Sequence, residues 1–375
     1  MKKILILTTN RADYSKLEII IDIIHNIDKI NMYLVVSGTH LLTDFGETYK
    51  YIKYPIYKKI NTLVNCEDNK MMAESVGFAL IKYASLLEEI KPDYVLLHGD
   101  RFDILPMTNA CLLMNFPIIH IEGGEYSGCV DNNIRNFTSM CSTYHIVSNE
   151  QAKNRLIQLL NNNNNNDNND NYNIINMGCP IIDIYLNYKF TMDNWKKCFN
   201  YIFTSTIEIN NYIVMLFHID TLNIKESILQ YKKLFNILIT LDKKVICFYP
   251  NIDNMSKELI RYIDKNKTNK ILLLKNIPQI EFITLLSQAS LFIGNSSSLV
   301  REAPLLGIPT ILIGKRQENR LLYKSTIHLS EIDEEQLITT ITNIYGKRFS
   351  KENLYGDGTF RIKFKRFIEN LIDKH

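Results

Sequence analysis

Three carboxylates and an arginine stand out between Leu96 and Asp131. Asp100 and Arg101 follow the apolar run Tyr94-Val95-Leu96-Leu97. Glu122 follows Pro117-Ile118-Ile119-His120-Ile121 and precedes Gly123-Gly124-Glu125, and Asp131 closes the loop beyond. Two carboxylates in one site can hold different proton affinities, so that one acts as acid and the other as base. Acids beside an arginine suit proton transfer on a ligand that carries phosphate. Asp100 also fits the N-cap of a following helix. Glu122 fits that role less well, because the two glycines after it signal close backbone approach.

A second group is Gly294-Asn295-Ser296-Ser297-Ser298, which follows the apolar run Leu291-Phe292-Ile293 and opens a helical stretch. Free N–H groups and the positive end of a helix dipole, with serine hydroxyls added, suit a diphosphate. An N-cap serine without any ligand gives the same pattern. Glu302, about one turn on, can accept both hydroxyls of a ribose, although a solvated glutamate is the commoner use. Arg11, Arg101 and Arg316 each lie in a loop after a strand, where arginine suits phosphate oxygens or a surface ion pair. His98, His120 and His218 also lie at strand ends, and the place of His218 suits a phosphate contact. No H-x-x-x-H or H-E-x-x-H spacing is present, so no metal is expected. No Walker motif is present either.

The elements that must carry these groups alternate strand and helix. Ile4–Leu7 reads as a strand and Tyr14–Ile24 as a helix; Met32–Val36 is a second strand, with a polar loop at Asp44–Thr48. Met72–Ile90 reads as a long amphipathic helix, followed by the two strand–turn units above and a strand at His145–Val147. A second series has strands at Tyr212–Phe217, Lys244–Tyr249, Lys270–Leu274, Leu291–Gly294 and Thr310–Ile313. Such alternation implies parallel sheets with right-handed crossovers. Ligands of open parallel sheets bind beyond the C-terminal strand ends, where the polar clusters sit. The expected architecture is two doubly wound domains facing each other across a ligand cleft. The boundaries are 1–187 for the domain carrying the acids, 188–358 for the second domain, and 359–375 for a terminal helix returning to the first. Residues 161–171, NNNNNNDNNDN, contain no apolar side chain and read as a solvated insert in a helix–strand loop of the first domain.

At 375 residues the chain is long for one core. With 43 basic and 40 acidic residues its net charge is only +3, which argues against a dedicated nucleic-acid or membrane-surface protein. Seven scattered cysteines include no C-x-x-C pair, so neither a disulfide framework nor a zinc site is expected, and a reducing cytoplasm fits. MKKILILTT has too short an apolar run for a signal peptide and reads as a first buried strand; no run is long enough to span a bilayer.

Eight segments carry a resemblance: RADYSKL (11–17), GTHLLTDFGETY (38–49), HGDRFD (98–103), HIEGGEYSGCVD (120–131), GCPIID (178–183), YPNID (249–253), GNSSSLVREAPLLGIPTILIGKRQENR (294–320) and YGDG (355–358). In this order and over nearly the full length, the chain resembles the hydrolysing UDP-N-acetylglucosamine 2-epimerases that open sialic acid biosynthesis. The resemblance implies a GT-B-like α/β fold of two Rossmann-like domains. It implies conversion of UDP-N-acetylglucosamine and water to N-acetylmannosamine and UDP, without a cofactor. UDP is eliminated across C1–C2 to give a glycal, and water then adds with inversion at C2. Asp100, Glu122 and Asp131 match the family's catalytic carboxylates, with the base and acid roles left unassigned. The UDP contacts carried over are Arg11, Ser15, Arg101, His218, Asn251, Ser296, Ser297, Glu302 and Arg316, with the backbone near Ile277 against uracil. The chain departs from the family at Arg135-Asn136, where His usually follows Arg, and at His218-Ile219, where His-Pro is frequent. The resemblance also implies a homodimer or homotetramer in the cytoplasm.

The neighbouring reading is a hydrolysing 2-epimerase of UDP-2,4-diacetamido-2,4,6-trideoxyglucose. A non-hydrolysing epimerase, a GT-B glycosyltransferase and a UDP-sugar-binding protein with a dead site are the others. The last is disfavoured because all three carboxylates are present.

Overall fold

A computed structural model describes residues 1–63, 69–161, 173–202, 207–220, 222–250, 256–275 and 277–373. Most of the Asn-rich insert therefore lies outside the described residues. The chain divides into two compact units. One comprises Met1–Tyr126, Val130–Ile184 and Tyr355–His375, and the other Ser127–Cys129 and Tyr185–Leu354.

The first unit is built on a seven-stranded parallel sheet. Its strands are β1 (Lys2–Thr8), β2 (Ile30–Ser37), β3 (Lys58–Ile60), β4 (Tyr94–His98), β5 (Ile118–Ile121), β6 (Tyr144–Val147) and β7 (Ile174–Asn176), in the order β3-β2-β1-β4-β5-β6-β7. All neighbours pair in parallel, so the C-terminal ends lie along one edge. The reversal of order falls between β1 and β4, where Ile4 pairs Tyr94 and Ile6 pairs Leu96.

Both faces of this sheet are covered, which is why its strands read as nearly continuous apolar runs. Ile4 and Ile6 enter one core with helices Arg11–His25 and Phe360–Asp373; Leu5 and Leu7 enter another with helices Asn69–Ile90 and Leu105–Met114. Alternate residues of β1 thus serve opposite faces. The terminal helix Phe360–Asp373 is set by Asp183, whose two carboxylate oxygens accept from the Phe360 and Arg361 N–H groups at 3.1 and 2.8 Å. Phe360, Phe364 and Ile368 then bury one stripe of that helix.

The second unit has a six-stranded parallel sheet. Its strands are β8 (Tyr212–Leu216), β9 (Lys244–Phe248), β10 (Ile271–Leu274), β11 (Leu291–Gly294), β12 (Thr310–Ile313) and β13 (Thr326–Leu329), in the order β10-β9-β8-β11-β12-β13. The reversal falls between β8 and β11. Ile213 and Met215 pack with Tyr231, Leu234 and Phe235 of helix Ile224–Thr240. Tyr212, facing the other way, stacks on Trp195 of helix Met192–Ile202 at 6.1 Å between centroids.

The alternation expected from the sequence is present, with β3, β7 and β13 in addition to the strands named there. The segment Asp44–Thr48 contains short 3₁₀ turns, Thr43–Phe45 and one beginning at Thr48, where a plain loop was expected. Left-handed Gly46 and Glu47 separate the two turns.

Candidate functional site

Each unit gathers polar groups at the reversal point of its sheet, and the two groups are described separately.

In the first unit, helix Arg11–His25 begins immediately beyond β1. Asn10 caps it by accepting from the Asp13 N–H at 3.0 Å, and Asp13 Oδ2 accepts from the Thr9 N–H at 2.9 Å. This reciprocal capping fixes the Asp13 carboxylate. Its Oδ1 lies 2.9 Å from His98 Nδ1, across the reversal point. His98 Nε2 lies 3.1 Å from Glu122 Oε2, and Lys16 Nζ donates to the same oxygen at 2.8 Å. Asp13, His98, Glu122 and Lys16 are all buried. Burial pushes the His98 pKa down, but the hydrogen bonds with Asp13 and Glu122 outweigh it and hold it above the ordinary value.

The backbone around Glu122 is tightly made. Glu122 has φ +64°, a left-handed conformation that costs a non-glycine residue about 1–3 kcal/mol and occurs at functional sites. Its N–H donates to Ile146 O at 2.7 Å. A Cβ on Gly123 would lie 2.7 Å from Ser139 Oγ, and one on Gly124 2.3 Å from Ala152 O. The glycine pair therefore lets Glu122 turn off the end of β5 against packed neighbours. His120, beneath it, bridges Gly99 O (2.8 Å) and Ser139 Oγ (2.9 Å) and ties the ends of β4 and β5 together. Burial pushes its pKa down to about 4, so it is a neutral tie near pH 7.

Asp100 lies beyond β4 and pairs through Oδ2 with Arg135 Nη2. Arg135 is only 1% exposed and also donates to Glu125 O at 2.9 Å. Asp131 is the first residue of helix Asp131–Met140 and precedes Arg135 by four residues, so both share one helix face. Asp100, Glu122 and Asp131 thus stand on three adjoining elements of the same sheet edge. Arg101 is held by Asp103 at 3.2 Å, and Ser15 donates to Ala12 O at 2.8 Å. Arg11 opens the helix after β1, on the same edge.

In the second unit, β8 and β11 end side by side, with Gly294 paired to Leu216. Asn295 clamps the chain beyond β8, its Oδ1 accepting from the His218 N–H at 2.7 Å and its Nδ2 donating to His218 O at 2.8 Å. Gln317 supports the clamp by donating to Asn295 O at 3.0 Å. Ser296 is the N-cap of helix Ser297–Arg301 and accepts from the Ser298 N–H at 3.3 Å. Glu302 ends that helix, buried, and accepts from the Tyr185 hydroxyl at 2.9 Å. Arg316, beyond β12, lines a pocket of ≈ 150 Å³ with Asn295, Gly314, Lys315, Asp220 and Asn223. Ile277 is fully buried. Asn251 lies outside the described residues.

Four organising contacts were not foreseen from the sequence: those of Asp13, Lys16 and Arg135, and the clamp made by Asn295, a residue already named within the serine group. Asp13 stands three residues after an Asn, a capping signature that could have singled it out. The other three contacts join segments distant in sequence, and only the fold reveals them. Asn136, the departure from the family pattern, accepts from Arg155 at 3.4 Å, and Arg155 in turn donates to Gly124 O at 3.3 Å.

Two doubly wound α/β units, each with polar groups at the reversal of its sheet, make a GT-B-like architecture. A solved structure of Neisseria meningitidis UDP-GlcNAc 2-epimerase bound to UDP-GlcNAc shares this fold, with TM-score 0.78 and 19% identity over 99% of this chain and 100% of that one. The chain belongs to the UDP-N-acetylglucosamine 2-epimerase family, whose sequence pattern matches residues 23–369. It is 30% identical to UDP-N-acetylglucosamine 2-epimerase of Neisseria meningitidis serogroup B, over 98% of this chain and 94% of that protein. It is 32% identical to GDP/UDP-N,N'-diacetylbacillosamine 2-epimerase (hydrolyzing) of Campylobacter jejuni, over 89% of this chain and 85% of that protein.

Proposed function

We propose that this protein is a hydrolysing UDP-N-acetylglucosamine 2-epimerase that releases UDP and N-acetylmannosamine. The observation that carries the reading is the gathering of Asp100, Glu122 and Asp131 on the β4–β5 edge, the first two held by cations. Asp100 is paired with Arg135, and Glu122 with Lys16 and His98. Family membership supports the substrate class, and the hydrolysing activity named for the Campylobacter jejuni relative favours the hydrolysing outcome.

The chemistry asks for two opposed proton transfers at C2. A base removes the C2 proton as UDP leaves C1, giving a glycal. An acid returns a proton to C2 from the other face as water adds at C1. Asp100, Glu122 and Asp131 are the proposed catalytic groups. Arg11, Ser15, Arg101, His218, Asn251, Ser296, Ser297, Glu302 and Arg316 are the proposed UDP contacts. The serine N-cap after β11 offers donors for phosphate, and the buried Glu302 carboxylate offers an acceptor for ribose.

The similar identities to relatives with different sugars favour keeping a second substrate in view. That substrate is UDP-2,4-diacetamido-2,4,6-trideoxyglucose, which differs at C4 and C6. Incubation with each nucleotide sugar, following free UDP and free sugar, tests the assignment. Release of UDP and N-acetylmannosamine from UDP-N-acetylglucosamine is expected. Epimerised sugar still attached to UDP would refute the hydrolysing reading. Asp100→Asn, Glu122→Gln and Asp131→Asn should each lower turnover by about 10²-fold or more while UDP still binds.

A further inference from the structure

Both ring nitrogens of His98 face carboxylate oxygens, Nδ1 at 2.9 Å from Asp13 Oδ1 and Nε2 at 3.1 Å from Glu122 Oε2. A neutral imidazole has one N–H and one lone pair, and a lone pair repels an ionised carboxylate. The two contacts are both attractive only if the group of three holds one further proton. Asp13 Oδ2 accepts from the Thr9 N–H and Glu122 Oε2 accepts from Lys16, which suits both acids as carboxylates. The extra proton therefore belongs on the ring. Each ion then has a counter-ion: Asp13 and Glu122 against His98 and Lys16.

The groups around the chain leave this proton where it is. Lys16 shares the Glu122 oxygen with His98. His120 lies beside the strand end, and His40 lies near Asp13, hydrogen-bonded to Thr8 and Thr48. Burial pushes both imidazoles down to about 4, so neither carries charge near pH 7.

We propose that His98, anchored by Asp13, is the proton store through which Glu122 gains and loses its proton during turnover. This rests on the reading of Glu122 as a proton-transfer group at C2. For delivery, the His98 Nε2–H bond breaks and an O–H bond forms on Glu122 Oε2. Glu122 then passes a proton to the substrate carbon and is again a carboxylate, and the ring is left neutral with its remaining N–H on Asp13. Collection runs the same exchange backwards and recharges the ring. No electrons are transferred, and every proton has a stated place. His98 acts through Glu122, so it and Asp13 are positioning residues.

The test has two arms on the full-length protein. The first needs no substrate: ¹⁵N NMR of the histidine rings, with His98 assigned by its absence in His98→Gln. A His98 ring carrying both protons at pH 7.5, and one fewer in Asp13→Asn, is expected. A singly protonated His98 at pH 7.5 in the unaltered protein overturns the proposal, whatever the substrate. The second arm measures kcat and KM for UDP release against pH. Asp13→Asn should move the alkaline limb of kcat at least tenfold down in hydroxide concentration with KM changed less than threefold. His98→Gln should remove that limb. Limbs unmoved in both variants, with normal thermal melting, overturn the proposal. If the unaltered protein releases no UDP, the functional reading fails and the NMR arm alone decides the protonation of His98.

Discussion

Arg135 is the cation on which the Asp100 side of the site depends, and Arg135→Met removes it while keeping much of its length. Its guanidinium is 1% exposed and pairs with Asp100, whose side chain is 23% exposed. Breaking a buried ion pair by deleting one partner costs about 3–5 kcal/mol when the remaining charge stays dry. Asp100 can regain water, and Glu125 O keeps Arg155 as a donor. A cost below that range, about 2–3 kcal/mol, is therefore expected. For a unit of this size each kcal/mol lowers the melting temperature by roughly 2–4 °C, so a fall of about 4–12 °C is predicted. Turnover should fall by about 10²-fold because Asp100 loses its orientation, while UDP affinity is retained. Arg135→Lys keeps the charge but cannot span Asp100 and Glu125 O together, and should lie between the two. Scanning calorimetry and initial rates of UDP release measure both effects. A melting temperature within 1 °C of the parent (about 0.5 kcal/mol or less) together with unchanged turnover would show that Arg135 does not hold Asp100.

Acid should destabilise the first unit above the ordinary carboxylate range. Burial lowers the pKa of His40 and His120 to about 4 and of His145 to about 3, so between pH 6.5 and 4 the unfolded chain binds more protons than the folded one. Stability should then fall as pH falls through that window, by up to ~1.4 kcal/mol per pH unit per histidine. His98 has the opposite sign, its contribution present below its ordinary value and lost as pH rises through its raised one. Urea midpoints at pH 7 and 5 check this, and equal midpoints would contradict it. Gly294→Ala places a Cβ 2.0 Å from Leu216 O at φ +146°. It should cost about 2–4 kcal/mol and abolish UDP binding by spreading β8 from β11, measured by calorimetry and titration.

The architecture was legible because its signals are local. Buried parallel strands appear as short apolar runs, and the chemistry-bearing residues follow them directly. The strands not named in advance have weak local signals. β3 is Lys58-Lys59-Ile60, an edge strand with two exposed lysines, and β13 is an edge strand with three of its four residues only partly buried. The acids themselves were legible, but their partners were not. Lys16 reaches Glu122 across 106 residues and Asp13 reaches His98 across 85, distances over which side-chain spacing carries no register. The left-handed turn at Glu122 was foreshadowed by the two glycines after it, although the strain falls on the glutamate itself.

Proton removal and return at C2 of a sugar held by its UDP is the step on which the proposed function rests. Turnover of UDP-N-acetylglucosamine in heavy water, with NMR of the released sugar, tests it most directly. Free N-acetylmannosamine carrying deuterium at C2 is expected. Free sugar that keeps its original C2 hydrogen, or a sugar still attached to UDP, would contradict it.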